Sequence, residues 1–275
     1  MLVQFSKMHG LGNDFVVIDA INQAISLSAE RIQQLADRNF GIGFDQLLLV
    51  EKAKGKADFR YVIYNADGSE VSQCGNGARC FALFVKQKGL TDKTEICVET
   101  GDGELVLQIN EDDLVAVNMG VPRFSPSDIP LSMPEESAEY SVDVEGQMVR
   151  FSALSIGNPH AVIQVDDVDD APVSGLGAAL ESHAIFPQRV NIGFAQTTNS
   201  SEIKLRVYER GAGETLACGS GACAAAVLAI ELGTAVTPVT VNVRGGFLKI
   251  DWQGREKPVL MTGPAIFVFD GTIEL

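Results

Sequence analysis

The sequence predicts an α/β protein of the α+β type: two pseudo-symmetric domains from an internal duplication, each a mostly antiparallel β-sheet or barrel wrapped around a central helix. Three observations predict it. The stretch Cys74-Gly75-Asn76-Gly77-Ala78-Arg79-Cys80 returns 144 residues later as Cys218-Gly219-Ser220-Gly221-Ala222-Cys223. Further blocks recur at offsets of 143 to 150: residues 3–6 with 149–152, Gly12-Asn13 with Gly157-Asn158, 42–46 with 192–196, and 117–120 with 260–263. A repeat on this scale sets the architecture before any single element is assigned. Finally, the segment after each Gly-x-Gly is apolar nearly all round: Ala78, Phe81, Ala82, Leu83, Phe84 and Val85 surround the first, so strands must enclose that helix.

The elements follow in order. Residues 3–5 and 15–18 read as strands separated by a Gly-rich polar turn over 9–14. Ser28 suits the N-cap of a helix reaching Arg38, with Ile32, Leu35 and Ala36 on one buried face. β-branched and apolar runs make strands of 46–51 and 59–64, and the turn-rich Asn65-Ala66-Asp67-Gly68-Ser69-Glu70 then delivers Cys74. After the helix over 78–88 comes a meander of 95–100, 104–109 and 114–119, turning at Gly101-Asp102-Gly103 and Glu111-Asp112-Asp113. Four prolines, Pro122, Pro126, Pro130 and Pro134, make 120–139 an extended crossover rather than a helix. The second copy repeats the plan, with a helix near 173–182, strands through Tyr208, the second thiol loop and a final meander around Gly245-Gly246. The apolar run 265–269 is expected to return to the first domain. The domains are therefore expected at 1–118, completed by 264–275, and at 119–263, with the active site in the cleft between them.

At 275 residues and 46% hydrophobic composition the chain can form two ordinary cores. Its 21 basic and 36 acidic residues, a formal charge of −15, argue against a nucleic-acid or anionic-membrane surface. The opening Met1-Leu2-Val3-Gln4-Phe5-Ser6-Lys7 has no basic n-region or apolar core, so no leader is expected, and no window nears the ~18 apolar residues of a membrane span. Five cysteines, an odd number in a chain too long to need staples, fit reduced thiols in a cytoplasm.

Cys80, Cys97 and Cys223 are expected to be buried and inert. Cys74 and Cys218 differ, since each precedes Gly-x-Gly at a helix N-terminus, where unpaired amides and the dipole favour thiolate over thiol. Two related domains facing one cleft would let one thiolate remove a proton from a carbon acid while the opposite thiol returns one to the other face. Amides at Gly75-Asn76 and Gly219-Ser220 could stabilise the charge that moves onto the substrate carboxylate, so no cofactor is expected. The copies differ where Asn65 becomes Glu209-Arg210 and Asn13-Asp14 becomes Asn158-Pro159-His160. That set fits a second ammonium and carboxylate on the substrate. The plainer readings are a hairpin-closing pair for Glu209 and Arg210 and a hydrogen-bonded core residue for His160.

Six blocks in order, Gly-Leu-Gly-Asn13-Asp-Phe, Asn65-Ala-Asp-Gly-Ser-Glu, Cys74-Gly-Asn-Gly-Ala-Arg-Cys, Gly-Asn158-Pro-His160, Asn191-Ile-Gly-Phe, and Glu209-Arg210-Gly-Ala-Gly-Glu-Thr with Cys218-Gly-Ser-Gly-Ala, resemble the diaminopimelate epimerase family. The resemblance spans essentially the whole chain. It implies that family's fold and a cofactor-independent interconversion of LL- and meso-diaminopimelate, serving lysine and peptidoglycan synthesis in the bacterial cytoplasm. It implies that Cys74 donates and Cys218 accepts the proton for the LL substrate, that His160 and Glu209 influence the thiols, and that homodimers form. It also implies substrate contacts at Asn13, Gln46, Asn65, Gly75, Asn76, Asn158, Asn191, Glu209, Arg210, Gly219 and Ser220.

Four rival readings fit these residues less well. A proline or hydroxyproline racemase of the same type would leave Glu209-Arg210 without a purpose, and a phenazine-type isomerase should not need both thiols. Structural zinc usually wants C-x₂₋₄-C pairs, whereas the spacings here are C-x₅-C and C-x₄-C with the second cysteine inside a buried helix, so no metal is expected. Neither Gly-x-Gly completes a dinucleotide fingerprint.

Overall fold

The computed structural model describes residues 2–72, 74–101 and 103–274. The chain divides into two compact units, residues 1–118 with 262–275 and residues 119–261.

In the first unit the strands are β1 (Leu2–Gly10), β2 (Asn13–Asp19), β3 (Gln46–Glu51), β4 (Phe59–Asn65), the short β5 (Glu70–Val71), β6 (Glu95–Thr100), β7 (Gly103–Ile109), β8 (Val115–Asn118) and β18 (Ile266–Glu274). They pair in the order β18-β1-β2-β3-β4-β6-β7-β8; β2–β3 and β4–β6 are parallel and every other step is antiparallel. A parallel step cannot be made by a tight turn and needs a crossover. Helices α1 (Ala29–Ala36) and α2 (Gly75–Gln87) are those two crossovers.

The second unit repeats this plan. Its strands are β9 (Tyr140–Val144), β10 (Gln147–Ser155), β11 (Pro159–Gln164), β12 (Asn191–Asn199), β13 (Glu202–Glu209), the short β14 (Gly213–Glu214), β15 (Val239–Val243), β16 (Gly246–Asp251) and β17 (Leu260–Gly263), whose end reaches the unit boundary. The pairing β9-β10-β11-β12-β13-β15-β16 is parallel at β11–β12 and β13–β15 and antiparallel elsewhere. Helices α3 (Val173–Glu181) and α4 (Gly219–Glu231) make the crossovers.

One helix in each unit lies inside its sheet. Residues 76–85 of α2 are buried without a break, and α2 touches β1, β2, β3, β7 and β8. A helix that meets strands from both ends of a sheet is wrapped by it. Helix α4 likewise meets β10, β11, β12, β13, β15 and β16, and its run of alanines lets those strands close in. Phe81 is fully buried against the edges of Phe59 and Tyr61; truncating such a ring to Ala costs about 3–5 kcal/mol. The other helix covers the outer face. Ser28 accepts a hydrogen bond from the Arg31 amide at 3.3 Å to start α1, which packs Ile32 and Leu35 on Val3, Phe44 and Leu47. In the second unit Val173 and Leu180 of α3 pack with Phe151, Phe186 and Phe194.

Several expectations need correcting. The first turn is only two residues, because Leu11 (φ 59°) and Gly12 (φ 89°) both take the left-handed conformation of a tight hairpin and the strands run on to Gly10 and Asn13. The match of 42–46 with 192–196 is not structural. Phe15 pairs with Gln46 and His160 pairs with Asn191, so Asn191 is the counterpart of Gln46, and Ile192-Gly193-Phe194 lie inside a strand where 42–44 precede one. Cys97, expected to be buried, is half-buried on β6. Strand β9, not foreseen, stands beside β10 as β18 stands beside β1. The expected turn at 101–103 contains Asp102, which lies outside the described residues.

Candidate active site

In each unit the two parallel strands that flank the first crossover start at one sheet edge, and the next, antiparallel strand ends there. In the first unit this puts Asn13, Gln46 and Asn65 at the same edge; in the second it gathers Asn158, Asn191 and Glu209. The thiol helix starts just beyond. Cys74 is the N-cap of α2 and Cys218 the N-cap of α4, both extended, with φ of −147° and −114°, and neither side chain caps its helix. The first amides, from Gly75-Asn76 and Gly219-Ser220, therefore open each helix with no carbonyl of its own preceding turn to accept them.

Beside Cys74 stand neutral amides. Its Sγ lies 3.9 Å from Asn13 Oδ1, which also accepts from Asn76 Nδ2 at 3.3 Å. Asn13 is turned that way by Asp45, whose Oδ2 accepts its Nδ2 at 3.0 Å, and Arg38 bridges Asp45 to Asp14. Burial alone would raise the Asp14 carboxyl, but hydrogen bonds from Arg38 and Lys7 outweigh it and bring it down to about 2. Tyr61 Oη donates to the Cys74 carbonyl at 3.2 Å. Next to this cluster Gln46 Nε2 donates to Asn65 Oδ1 at 2.9 Å, while Gln46 Oε1 is buried without a hydrogen-bond partner among the described residues. A buried acceptor left open on an otherwise satisfied edge is a place for a ligand donor.

Around Cys218 the partner is a carboxylate. Its Sγ donates to Glu209 Oε2 at 3.1 Å, and the other oxygen of Glu209 accepts from Thr215 Oγ1 at 2.5 Å. The expected preference for thiolate is reversed here. Burial first, and then the Glu209 charge and hydrogen bond, push the Cys218 thiol well above its ordinary value and outweigh the Gly221 amide and Ser220. The helix terminus is a partial charge, and a full carboxylate in contact with a buried sulfur overrides it. Asn158 Nδ2 donates to Ser220 Oγ at 3.3 Å, as Asn76 bonds Asn13 in the first unit, and His160 Nε2 is 3.0 Å from Asn158 Oδ1. Burial, and after it the charge of Arg210, lowers His160 to about 3, so this imidazole is neutral. It is a hydrogen-bonded core residue linked to the thiol through Asn158 and Ser220.

Glu209 and Arg210 do close a hairpin, onto β14, and Glu209 also holds the thiol. Asn191 is buried and committed internally: it donates to the Pro159 carbonyl at 2.9 Å and accepts from the Arg210 amide at 3.0 Å. Sequence reasoning missed Arg79, Thr215, Asp45 and Tyr61. Arg79 is fully buried and donates to Asn76 Oδ1 at 2.9 Å and to the Gly75 and Pro264 carbonyls. A lone arginine in an apolar helix was its available signal; Thr215 and Asp45 have no local one.

The sequence model of the diaminopimelate epimerase family matches residues 5–125 and 152–268. The chain belongs to the diaminopimelate epimerase family. It is 57% identical over 276 residues to the diaminopimelate epimerase of Chromobacterium violaceum and 55% over 275 to that of Nitrosospira multiformis, covering 100% of this chain and 100% and 99% of theirs. Membership of the diaminopimelate epimerase family makes this an amino-acid epimerase and so an isomerase. Among solved structures its fold is similar to a phenazine-biosynthesis protein of Bacillus anthracis (TM-score 0.70, 17% identity, 100% of both chains). It is also similar to a hydroxyproline epimerase of Agrobacterium vitis (TM-score 0.68, 15% identity, 99% and 92%). At such identities the likeness is one of fold.

Proposed function

We propose that this chain interconverts LL- and meso-diaminopimelate without a cofactor, in the bacterial cytoplasm and as a homodimer, supplying lysine and peptidoglycan precursors. The observation that carries the reading is the pair of N-cap thiols, Cys74 and Cys218, the second with Glu209 at 3.1 Å from its sulfur, in a chain 55–57% identical to epimerases of that name. The two thiols serve opposite faces of one α-carbon. For the LL substrate, Glu209 takes the Cys218 proton and the resulting thiolate removes the α-proton. The electron pair moves into the adjacent carboxylate, where the opening amides of α2 and α4 meet the developing charge. Cys74 then gives its thiol proton to the other face. Glu209 releases its proton to solvent and Cys74 recovers one, which closes the cycle; the reverse reaction exchanges the roles of the thiols.

The remaining residues grip the far end of the substrate. The guanidinium of Arg210 suits the distal carboxylate, and the open Gln46 oxygen, with Asn13, Asn65 and Asn158 around the two edges, suits an ammonium and the orientation of the chain, while Asn191 acts from behind by holding the Arg210 amide. Neutral His160 and the pairs Asn13–Asn76 and Asn158–Ser220 hold the thiol surroundings in register. The test is proton NMR of LL-diaminopimelate with reduced enzyme in deuterated buffer and no added cofactor. Solvent deuterium at the α-carbon together with meso product supports the reading. Exchange of proline and not of diaminopimelate would move the substrate to that of the imino-acid racemases.

A further inference from the structure

We infer that Glu181, a buried carboxylate with no part in the proton transfers, is the positioning residue that sets Arg210 for the distal carboxylate; this rests on the function proposed above. Glu181 is 5% exposed at the end of α3. Its Oε1 accepts the Gly211 amide at 3.0 Å and meets Arg189 Nη1 at 3.3 Å. The preceding amide, of Arg210, is accepted by Asn191 Oδ1 at 3.0 Å, and Arg210 Nη1 donates to the Gln188 carbonyl at 3.2 Å. Two successive amides at the tip of the β13–β14 hairpin are thus each held by a buried side-chain oxygen, one from α3 and one from β12. Gly211 itself brings no side chain to stiffen the tip: it has φ 75° and open space where a side chain would stand.

The helix is brought within reach by Gly177, one turn earlier on the same face of α3. A Cβ there would lie 2.7 Å from the Tyr208 Cβ, so only glycine lets α3 rest on the strand that ends in Glu209. Gly177 against Tyr208 and Glu181 against Gly211 form one seam. Through it the outer helix fixes the direction in which Arg210 leaves the hairpin.

The experiment is a double-mutant cycle between Glu181 and Arg210, with proton-exchange kinetics on LL-diaminopimelate and thermal melting of each protein. Glu181→Asp keeps the charge but withdraws the oxygen; it should raise KM about tenfold and leave kcat within about threefold. Glu181→Gln keeps an acceptor oxygen and should stay near wild type. In an Arg210→Met background Glu181→Asp should add less than about twofold, because the group it positions is gone. The inference is overturned if the Glu181→Asp loss multiplies in full on Arg210→Met, if it falls on kcat, or if Glu181→Gln is as damaging as Glu181→Asp. An inert wild type would overturn the proposed function and this inference with it, whereas failure of the inference alone leaves wild-type turnover intact. Gly211 amide hydrogen exchange, accelerated in Glu181→Asp and unchanged in Glu181→Gln, gives a readout that needs no turnover.

Discussion

The two thiol centres share a backbone and differ in charge. Cys74 and Cys218 hold the same N-cap position on helices of 13 residues, each reached from the end of the fifth strand in the pairing order of its sheet, β4 or β13. At that strand end the first unit carries Asn65, which turns to Gln46 and Ser69, and the second carries Glu209, which turns to its thiol. Five positions into the helix motif the first unit has a buried Arg79 where the second has Cys223. A carboxylate thus sits beside one sulfur and a guanidinium in the helix that follows the other. Duplication supplies two similar scaffolds, and two substitutions set a carboxylate against one sulfur and a buried guanidinium in the helix after the other, the difference on which the proposed division of acid and base roles rests.

The largest test removes the thiols one at a time. Cys74→Ala and Cys218→Ala should each lower epimerisation by about 10³-fold or more, with little change in melting temperature. Retention of turnover by either variant would mean that the two centres are not partners. Glu209→Gln makes the second centre resemble the first; it should lower kcat by roughly 10²-fold and bring the Cys218 thiol back toward its ordinary value, read from the pH profile of its alkylation. A smaller contrast is visible without mutation. At neutral pH half-buried Cys74 should react with iodoacetamide roughly tenfold faster than buried Cys218, as peptide mapping over time would report. Equal rates would erase the asymmetry.

The smallest effect is on stability in acid, and each unit contributes its own. The folded chain keeps His160 neutral down to about 3 while the unfolded chain takes up a proton near 6.5, so stability is lost as pH falls through that window; His160→Gln should flatten the loss in thermal melts. In the first unit Asp14, depressed from 3.8 to about 2, contributes stability that is present above 3.8 and disappears as pH falls toward 2. Asp14→Asn should remove that limb only.

Much of this was legible in the sequence for identifiable reasons. Gly-x-Gly after a cysteine and before an apolar helix marks an N-cap thiol in both copies, and the apolar circumference of 78–85 specifies a wrapped helix. The Ile-Gly-Phe match failed because three residues of one composition serve as a loop in one copy and a strand in the other; pairing register, which no short block encodes, decides equivalence. An influence of Glu209 on the thiols was expected, but its direction at Cys218 was out of reach for a related reason. A helix terminus can be read from local spacing, but the carboxylate that overrides it reaches the sulfur by a hydrogen bond from a strand end, held there by Thr215.

The pairing of β18 with β1 joins residues 2–9 to 266–274. During synthesis the second unit, continuous in sequence and with its own edge strand β9 next to β10, emerges complete. The first unit does not. It leaves the ribosome with the β1 edge bare, and the strand that covers this edge is made only after the whole second unit has been translated.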